Sequence, residues 1–263
     1  MISVVTVCYN ARDLISKTIK SVLGQNYDDF EYLIIDGLST DGTLELVKSI
    51  IKSFSHCNSS ILSEHDHGIY DAMNKAIKLA KGEFVVFINA GDTFYNENTL
   101  SDVASYLKFH PETDVLYGDC GYFEEKTITK AAPFWTQKRP WRGIGFCHQA
   151  TYTRKSLLLE HPFNLDFSLC ADFELCWHLY YKKHSIFSYI NKPLCRFDLG
   201  GVSYNLKNRF EITRQGAIIG NADKSFYYYM LYIRYMIYRF LPKYFRNYLL
   251  NRAAIKYRNN KYN

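Results

Sequence analysis

The sequence is missing the glycine-rich signatures of several nucleotide-binding classes. No GxGxxG follows its first apolar run, where CYNARDL stands, and no GxxxxGK[ST] occurs anywhere, which argues against a dinucleotide dehydrogenase and a P-loop phosphotransferase. No CxxC occurs either. The seven cysteines (8, 57, 120, 147, 170, 176 and 195) are odd in number and scattered, so a disulfide-stapled secreted framework is excluded and a reducing cytosol fits best. The opening MISVVTVCYN has no basic n-region and only a short apolar stretch, unlike a signal peptide. Long apolar runs are also lacking: Ser225 to Leu241 has 17 residues and contains Arg234 and Arg239, too short and too charged to span a bilayer. Internal repeats and low-complexity linkers are absent.

Acidic residues are missing from one end of the chain. From Lys224 to Asn263 there are nine Lys or Arg, ten Tyr and three Phe, and no Asp or Glu. The formal net charge of +6 therefore belongs to that segment, because residues 1–223 hold 23 basic against 26 acidic side chains. The chain divides into a near-neutral body, 1–223, and a basic aromatic tail, 224–263. Such a body suffices for one large α/β domain that buries roughly 70% of the surface of its unfolded chain.

Within the body, ISVVTVCY (2–9) reads as a strand, and Leu14, Ile15, Ile19, Val22 and Leu23 follow at helix spacing up to Gly24. FEYLIID (30–36) reads as a second strand, and Ser39 or Thr40 can cap a helix over 44–54. SILSE (60–64) is a weaker third strand, 69–80 a helix stopped at Gly82, and EFVVFIN (83–89) a fourth strand. This alternation predicts a mostly parallel sheet flanked by helices, with ligands at the carboxyl ends of its strands. Further on, the pattern predicts a helix over 98–109, a loop over 133–145, a strand over FCHQATYT (146–153) and a helix beginning near Asp172. The second half reads as an elaboration of the first.

Polar residues gather at the predicted strand ends: Asn10, Asp36, Asp66, Asn89 and Asp92. Singly, each is an ordinary turn or cap residue; together they outline a polar cleft.

The succession SVVTVCYNA, YLIIDGLSTDGT and SEHDHGIYDAMNKAIKLAKGEFVVFINAGD resembles family 2 glycosyltransferases of the GT-A fold, a Rossmann-like nucleotide-diphospho-sugar transferase architecture. Within them it is similar to the subgroup that builds bacterial O-antigen, capsule and exopolysaccharide. HQATYTRKSLL (148–158), ADFELCWHL (171–179) and FDLGGVS (197–203) match later landmarks. The resemblance implies inverting transfer of a sugar from a nucleoside diphosphate to a hydroxyl. It places Thr6, Tyr9 and Asp36 at the base and ribose, with Asp66, Asp71, Asn74 and Asn89 as further donor contacts. The family's DxD-type motif reads here Asn89-Ala90-Gly91-Asp92, so Asp92 alone supplies a carboxylate for Mn2+ or Mg2+. His65-Asp66-His67 is read as a loop, since HxH alone is a weak metal signal. Asp172 corresponds to the catalytic base, with helix capping as the alternative and Glu174 as a backup. His148 and Gln149 correspond to a strand bordering the donor sugar, and Gly200 and Gly201 to a lid or a plain turn.

In the tail, apolar positions 226, 230, 233, 237 and 240 recur at helix spacing, and Pro242 can open a second amphipathic helix. Three readings stay open: an interfacial helix on an anionic membrane, a single-strand nucleic-acid surface, or packing on the body or on a second copy. The leading expectation is a UDP-sugar donor and a polyprenyl-diphosphate-linked saccharide acceptor at the inner face of the cytoplasmic membrane, without nucleic acid. A homodimer is left open. The alternative from another class is a non-catalytic nucleotide-sugar or nucleic-acid binding module.

Overall fold

The structure, a computed structural model, describes residues 1–54, 58–122, 128–197 and 208–240. Ile2–Cys8 (β1) and Phe30–Asp36 (β2) are buried at every position, as strands covered on both faces must be. β1 pairs parallel with β2 and with Phe84–Phe87 (β4), and Ser59–Ser63 (β3) pairs parallel outside β2. The alternation of the strands sends successive residues to opposite layers. Val4, Ile34 and Val86 join the core beneath Arg12–Leu23 (α1) and Thr43–Lys52 (α2). Val5, Leu33, Ile35 and Val85 join the core beneath Ile69–Leu79 (α3). Each such aliphatic side chain contributes about 1.5–3 kcal/mol by leaving water.

Gly24 closes α1 as predicted, its N–H reaching Lys20 O at 3.0 Å. The cap of α2 falls later than Ser39 or Thr40. Asp41 accepts hydrogen bonds from Arg12 N (3.1 Å) and Thr43 N (3.0 Å), and Gly42, at φ +88°, enters the helix.

The second half extends the same sheet. Val115–Tyr122 (β6), Thr151–Arg154 (β8), Phe187–Phe197 (β9) and the short Thr93–Phe94 (β5) give the order β3-β2-β1-β4-β8-β6-β9-β5, and Ile128–Thr129 (β7) pairs with β6. The contacts of β8 with β4 and β6 are antiparallel, so the sheet is parallel in its first half and mixed beyond it. Thr99–Phe109 (α4) follows β5; Lys155–Glu160 (α5) and Ala171–Tyr181 (α6) place Leu158, Leu175 and Leu179 in the α3 layer.

The predicted strand over 146–153 is shorter than its composition suggests. Cys147 O accepts from Ala150 N (3.0 Å) and from the Thr151 hydroxyl (2.8 Å), curling His148–Ala150 into a single 3₁₀ turn before β8 begins. His148 and Gln149 therefore stand at a sheet edge rather than within a strand.

Arg209–Ile219 (α7) leads to Phe226–Phe240 (α8). One face of α8 packs on the body: Tyr235 stacks on Phe210 at 3.7 Å, and the Arg139 guanidinium lies 3.7 Å over the Tyr227 ring. The opposite stripe is open, with Phe226 81%, Ile237 60% and Phe240 80% exposed. Among the described residues no helix is long and apolar enough to cross a membrane. Gly200, Gly201 and the helix expected from Pro242 lie outside the described residues.

Candidate active site

The carboxyl ends of β1, β2 and β3 form one polar edge. Asn10 Oδ1 accepts from Thr40 N, and Asn10 N donates to Ser39 Oγ, both at 2.9 Å, which joins the loops after β1 and β2. Asp36 is fully buried, its Oδ2 accepting from Ser63 Oγ (2.7 Å) and Ser39 N (3.1 Å). Burial, with the Asp36 charge beside it, pushes the Cys8 thiol up to about 12. Thr6 is equally buried and bonds Ile88 O (2.7 Å) and Tyr32 OH (2.9 Å), so it braces the floor of the edge instead of lining it. Tyr9 presents an open ring, 64% exposed. A Cβ at Gly37 would collide with Asp66 Oδ2 and lie 3.4 Å from Tyr9 Cδ2, so the missing side chain lets ring and carboxylate close on one spot. That spot offers a planar face and an anionic acceptor, suited to a base or ribose.

The turn after β4 is built from α1. The buried Thr18 hydroxyl donates to Asp92 O (2.7 Å) and accepts from Gly91 N (2.9 Å), and Gly91 adopts φ +105°, which glycine alone takes without strain. Asp92 is 4% exposed and its Oδ2 receives the Gln149 amide at 2.8 Å. Asn89 Oδ1 is buried without a hydrogen-bond partner among the described residues.

A cavity of about 360 Å³ opens beside this turn, between the first turns of α3 and α6, and is lined in part by Tyr70, Asn89, His148, Gln149 and Asp172. Asp172 Oδ1 accepts from the Tyr70 hydroxyl and from Phe173 N, each at 2.9 Å. No described residue hydrogen-bonds its Oδ2. Burial and the neighbouring Asp172 charge hold the Tyr70 phenol well above its ordinary range, so it stays a donor to that carboxylate. The His148 ring stacks on Phe87 at 5.5 Å, and burial pulls its imidazole below the ordinary value against the opposing charge of Asp172. It is thus neutral near pH 7, and its Nε2 is buried without a hydrogen-bond partner among the described residues.

Two expected donor contacts are used internally. Asn74 donates to Phe163 O (2.8 Å) and accepts from Phe163 N (2.9 Å), tying α3 to the loop before α6. Asp71 reaches back to His67 N at 2.9 Å within the first turn of α3. Both amide and carboxylate serve the scaffold, because an i,i+3 pair on this face of α3 points at the adjoining loops. Glu174 faces His161 Nε2 at 3.1 Å and does not line the cavity.

The model of Glycosyl transferase family 2 matches residues 3–157, from β1 into α5. The chain belongs to that family. A PGL/p-HBAD biosynthesis glycosyltransferase of Mycobacterium bovis is 26% identical over 221 residues, covering 80% of this chain and 81% of the relative. The Escherichia coli UDP-Glc:alpha-D-GlcNAc-diphosphoundecaprenol beta-1,3-glucosyltransferase WfaP is 29% identical over 134 residues, 51% of each chain. Among solved structures, the mannosyltransferase PcManGT of Pyrobaculum calidifontis, in complex with GDP-Man and Mn2+, superposes with a TM-score of 0.67 at 19% identity. That match covers 85% of this chain and 65% of the other, so this family 2 member spans under two thirds of that structure's length and shares its GT-A fold.

In this family 2 chain, the sequence put Asn10, Asp36, Asp66, Asn89 and Asp92 at strand ends and the resemblance added His148 and Asp172; the structure brings Asn89, His148 and Asp172 to one cavity. Sequence reasoning passed over Tyr70, Thr18 and Gly37. Only Gly37 carried a signal, as a glycine directly after a strand-ending Asp.

Proposed function

We propose that the chain is an inverting glycosyltransferase that moves a sugar from a UDP-sugar to a polyprenyl-diphosphate-linked saccharide in bacterial surface polysaccharide biosynthesis. The observation that carries the reading is the Asp172 carboxylate, whose Oδ1 is held by Tyr70 and by Phe173 N in the wall of the cavity. We assign the remaining oxygen, at the N-terminal turn of α6, the role of general base. In the proposed step the acceptor oxygen attacks the anomeric carbon opposite the diphosphate. The bond from that carbon to the diphosphate oxygen breaks, and the hydroxyl proton passes to Asp172 Oδ2. A single displacement inverts the anomeric centre. Tyr9, Asp66 and Gly37 would hold the base and ribose over Asp36, which keeps the loop after β2 in place.

Asp92 and the unpartnered Asn89 Oδ1 are hard oxygen donors beside the cavity, and Gln149 orients the Asp92 carboxylate. They fit a hard, partly hydrated cation such as Mn2+ or Mg2+, which they would hold from the protein side. When bound, such a cation neutralises charge developing on the leaving diphosphate. Neutral His148, stacked on Phe87, would border the donor sugar and offer its unpartnered Nε2 to a sugar hydroxyl.

The donor and acceptor classes gain support from the WfaP relative, whose name states UDP-Glc and a diphosphoundecaprenol acceptor. The open apolar stripe of α8 and the nine cations beyond residue 223 support attachment to an anionic membrane surface. UDP release is to be followed over a panel of UDP-sugars with acceptor lipid and Mn2+. Asp172→Asn is expected to slow turnover about 10²–10⁴-fold; equal rates for variant and wild type would remove Asp172 from the mechanism. For the tail, Ile233→Glu with Ile237→Glu is expected to abolish flotation with anionic liposomes, and unaltered flotation refutes the interfacial reading.

A further inference from the structure

Three thiols from distant parts of the chain meet in the cavity wall. Cys120 lies on β6, Cys195 stands opposite it in register on β9, and Cys147 leads into the 3₁₀ turn that carries His148. Cys195 Sγ is 3.5 Å from Cys120 Sγ and 3.6 Å from Cys147 Sγ, and all three sulfurs lie within 4.8 Å of one another. A triangle with those edges has a centre equidistant from its corners at about 2.1–2.4 Å, a range that contains the ~2.3 Å zinc–thiolate bond. Cys120 and Cys147 line the cavity, so an ion entering from solvent reaches the sulfurs without unfolding of the sheet. A disulfide would use two of the sulfurs, would close one gap to ~2.05 Å, and would leave the third without a role.

We propose that Cys120, Cys147 and Cys195 form a binding site for a thiophilic cation of the zinc class, held by three thiolates with its fourth position open to the cavity. Binding is an exchange: three S–H bonds break, three metal–sulfur bonds form, and three protons leave for solvent. The soft sulfur set selects Zn2+ or Cd2+ over Mg2+, which separates this site from the oxygen donors at Asp92. It stands whether or not the transfer reaction proposed above is correct.

One neighbour links the two sites. Cys147 Sγ donates to Gln149 Oε1 at 3.0 Å, and Gln149 Nε2 donates to Asp92 Oδ2 at 2.8 Å. Loss of the Cys147 proton takes away the donor that fixes this amide, so a cation on the thiols loosens the hold on Asp92. Burial holds the Cys195 thiol well above its ordinary value and a hydrogen bond with Cys120 does the same for Cys147, so proton release opposes binding at low pH. Occupancy therefore rises with pH.

The test is a titration of the reduced, metal-stripped full chain with Cd2+, read by the ultraviolet sulfur-to-metal charge-transfer band and by proton release into a dye. One equivalent of Cd2+ per chain is expected, with about three protons released, displacement by Zn2+ and none by Mg2+. Cys147→Ser and Cys195→Ser are each expected to weaken binding at least tenfold, while Cys57→Ser and Cys170→Ser keep it. Cys195 is fully buried; should its variant fail to fold, the half-buried Cys147 carries the test. Absence of the band at one equivalent overturns the proposal. So does a band that survives Cys147→Ser, or mass spectrometry that finds two of the three sulfurs joined as a disulfide in a chain that binds no Cd2+ once reduced.

Discussion

Thr18→Val tests whether α1 builds the turn that carries Asp92. The substitution keeps the side chain's shape and its β-branched helix preference while replacing Oγ1 with a methyl group. Two backbone groups lose the Thr18 hydroxyl: the Asp92 carbonyl at 2.7 Å and the Gly91 N–H at 2.9 Å. Each buried backbone group left unmatched costs about 1–3 kcal/mol, giving roughly 2–6 kcal/mol before the turn relaxes. At about 2–4 °C per kcal/mol for a chain of this size, the unfolding midpoint is expected to fall by roughly 4–24 °C. Thr18→Ser keeps the hydroxyl and loses one methyl group, so its midpoint stays within a few degrees of wild type, consistent with about 1 kcal/mol. Circular dichroism melts of the three proteins read the ordering, and the Mn2+ concentration for half-maximal UDP release reads the turn itself. Melts of valine and serine variants that coincide, with an unchanged Mn2+ requirement, would refute the assignment of Thr18 to the turn.

Tyr70→Phe removes one of two donors to Asp172 Oδ1 and is expected to lower kcat/KM about 10–100-fold, in line with about 1.5–3 kcal/mol for a hydrogen bond to a charged group; a change under twofold, in UDP-release kinetics, counts against the positioning role. His148 supplies a pH signature. Its imidazole is depressed in the folded state, so the unfolded chain takes up the proton first and stability falls as pH drops below about 6.5, the unfolded value. Melts between pH 7.5 and 5 should show this decline, and His148→Phe, which keeps the stack on Phe87, should flatten that part of the curve; an identical slope in both proteins would assign the effect elsewhere.

The parallel half of the fold was legible because β1, β2 and β4 are buried on both faces and read as apolar runs, punctuated by Gly24 and Gly82. The site residues at its strand ends were legible as polar residues that interrupt those runs. FCHQATYT misled because its composition suits a strand throughout, whereas the Cys147 carbonyl captures Ala150 N and Thr151 Oγ1 and curls the first half. Local pattern carries no trace of that capture. Tyr70 meets Asp172 across 102 residues, and Cys195 meets Cys120 across 75, partnerships that depend on the placement of β9 and α6. β9 itself is irregular, its register with β6 shifting at Asp119, so no clean alternation announced it. Asn74 looked like a ligand because an exposed-face amide and a structural amide have the same sequence.

β4 is a seam. On one side it pairs with β1 in the parallel half that holds Tyr9, Asp36 and Asp66; on the other it pairs antiparallel with β8, which follows His148 and Gln149 and precedes Asp172. On the proposed function, the grip on the nucleotide and the presentation of the acceptor hydroxyl thus belong to two stretches of chain joined along one strand. On that reading, a substitution beyond β4 can alter the choice of acceptor while the nucleotide grip of the parallel half stays in place.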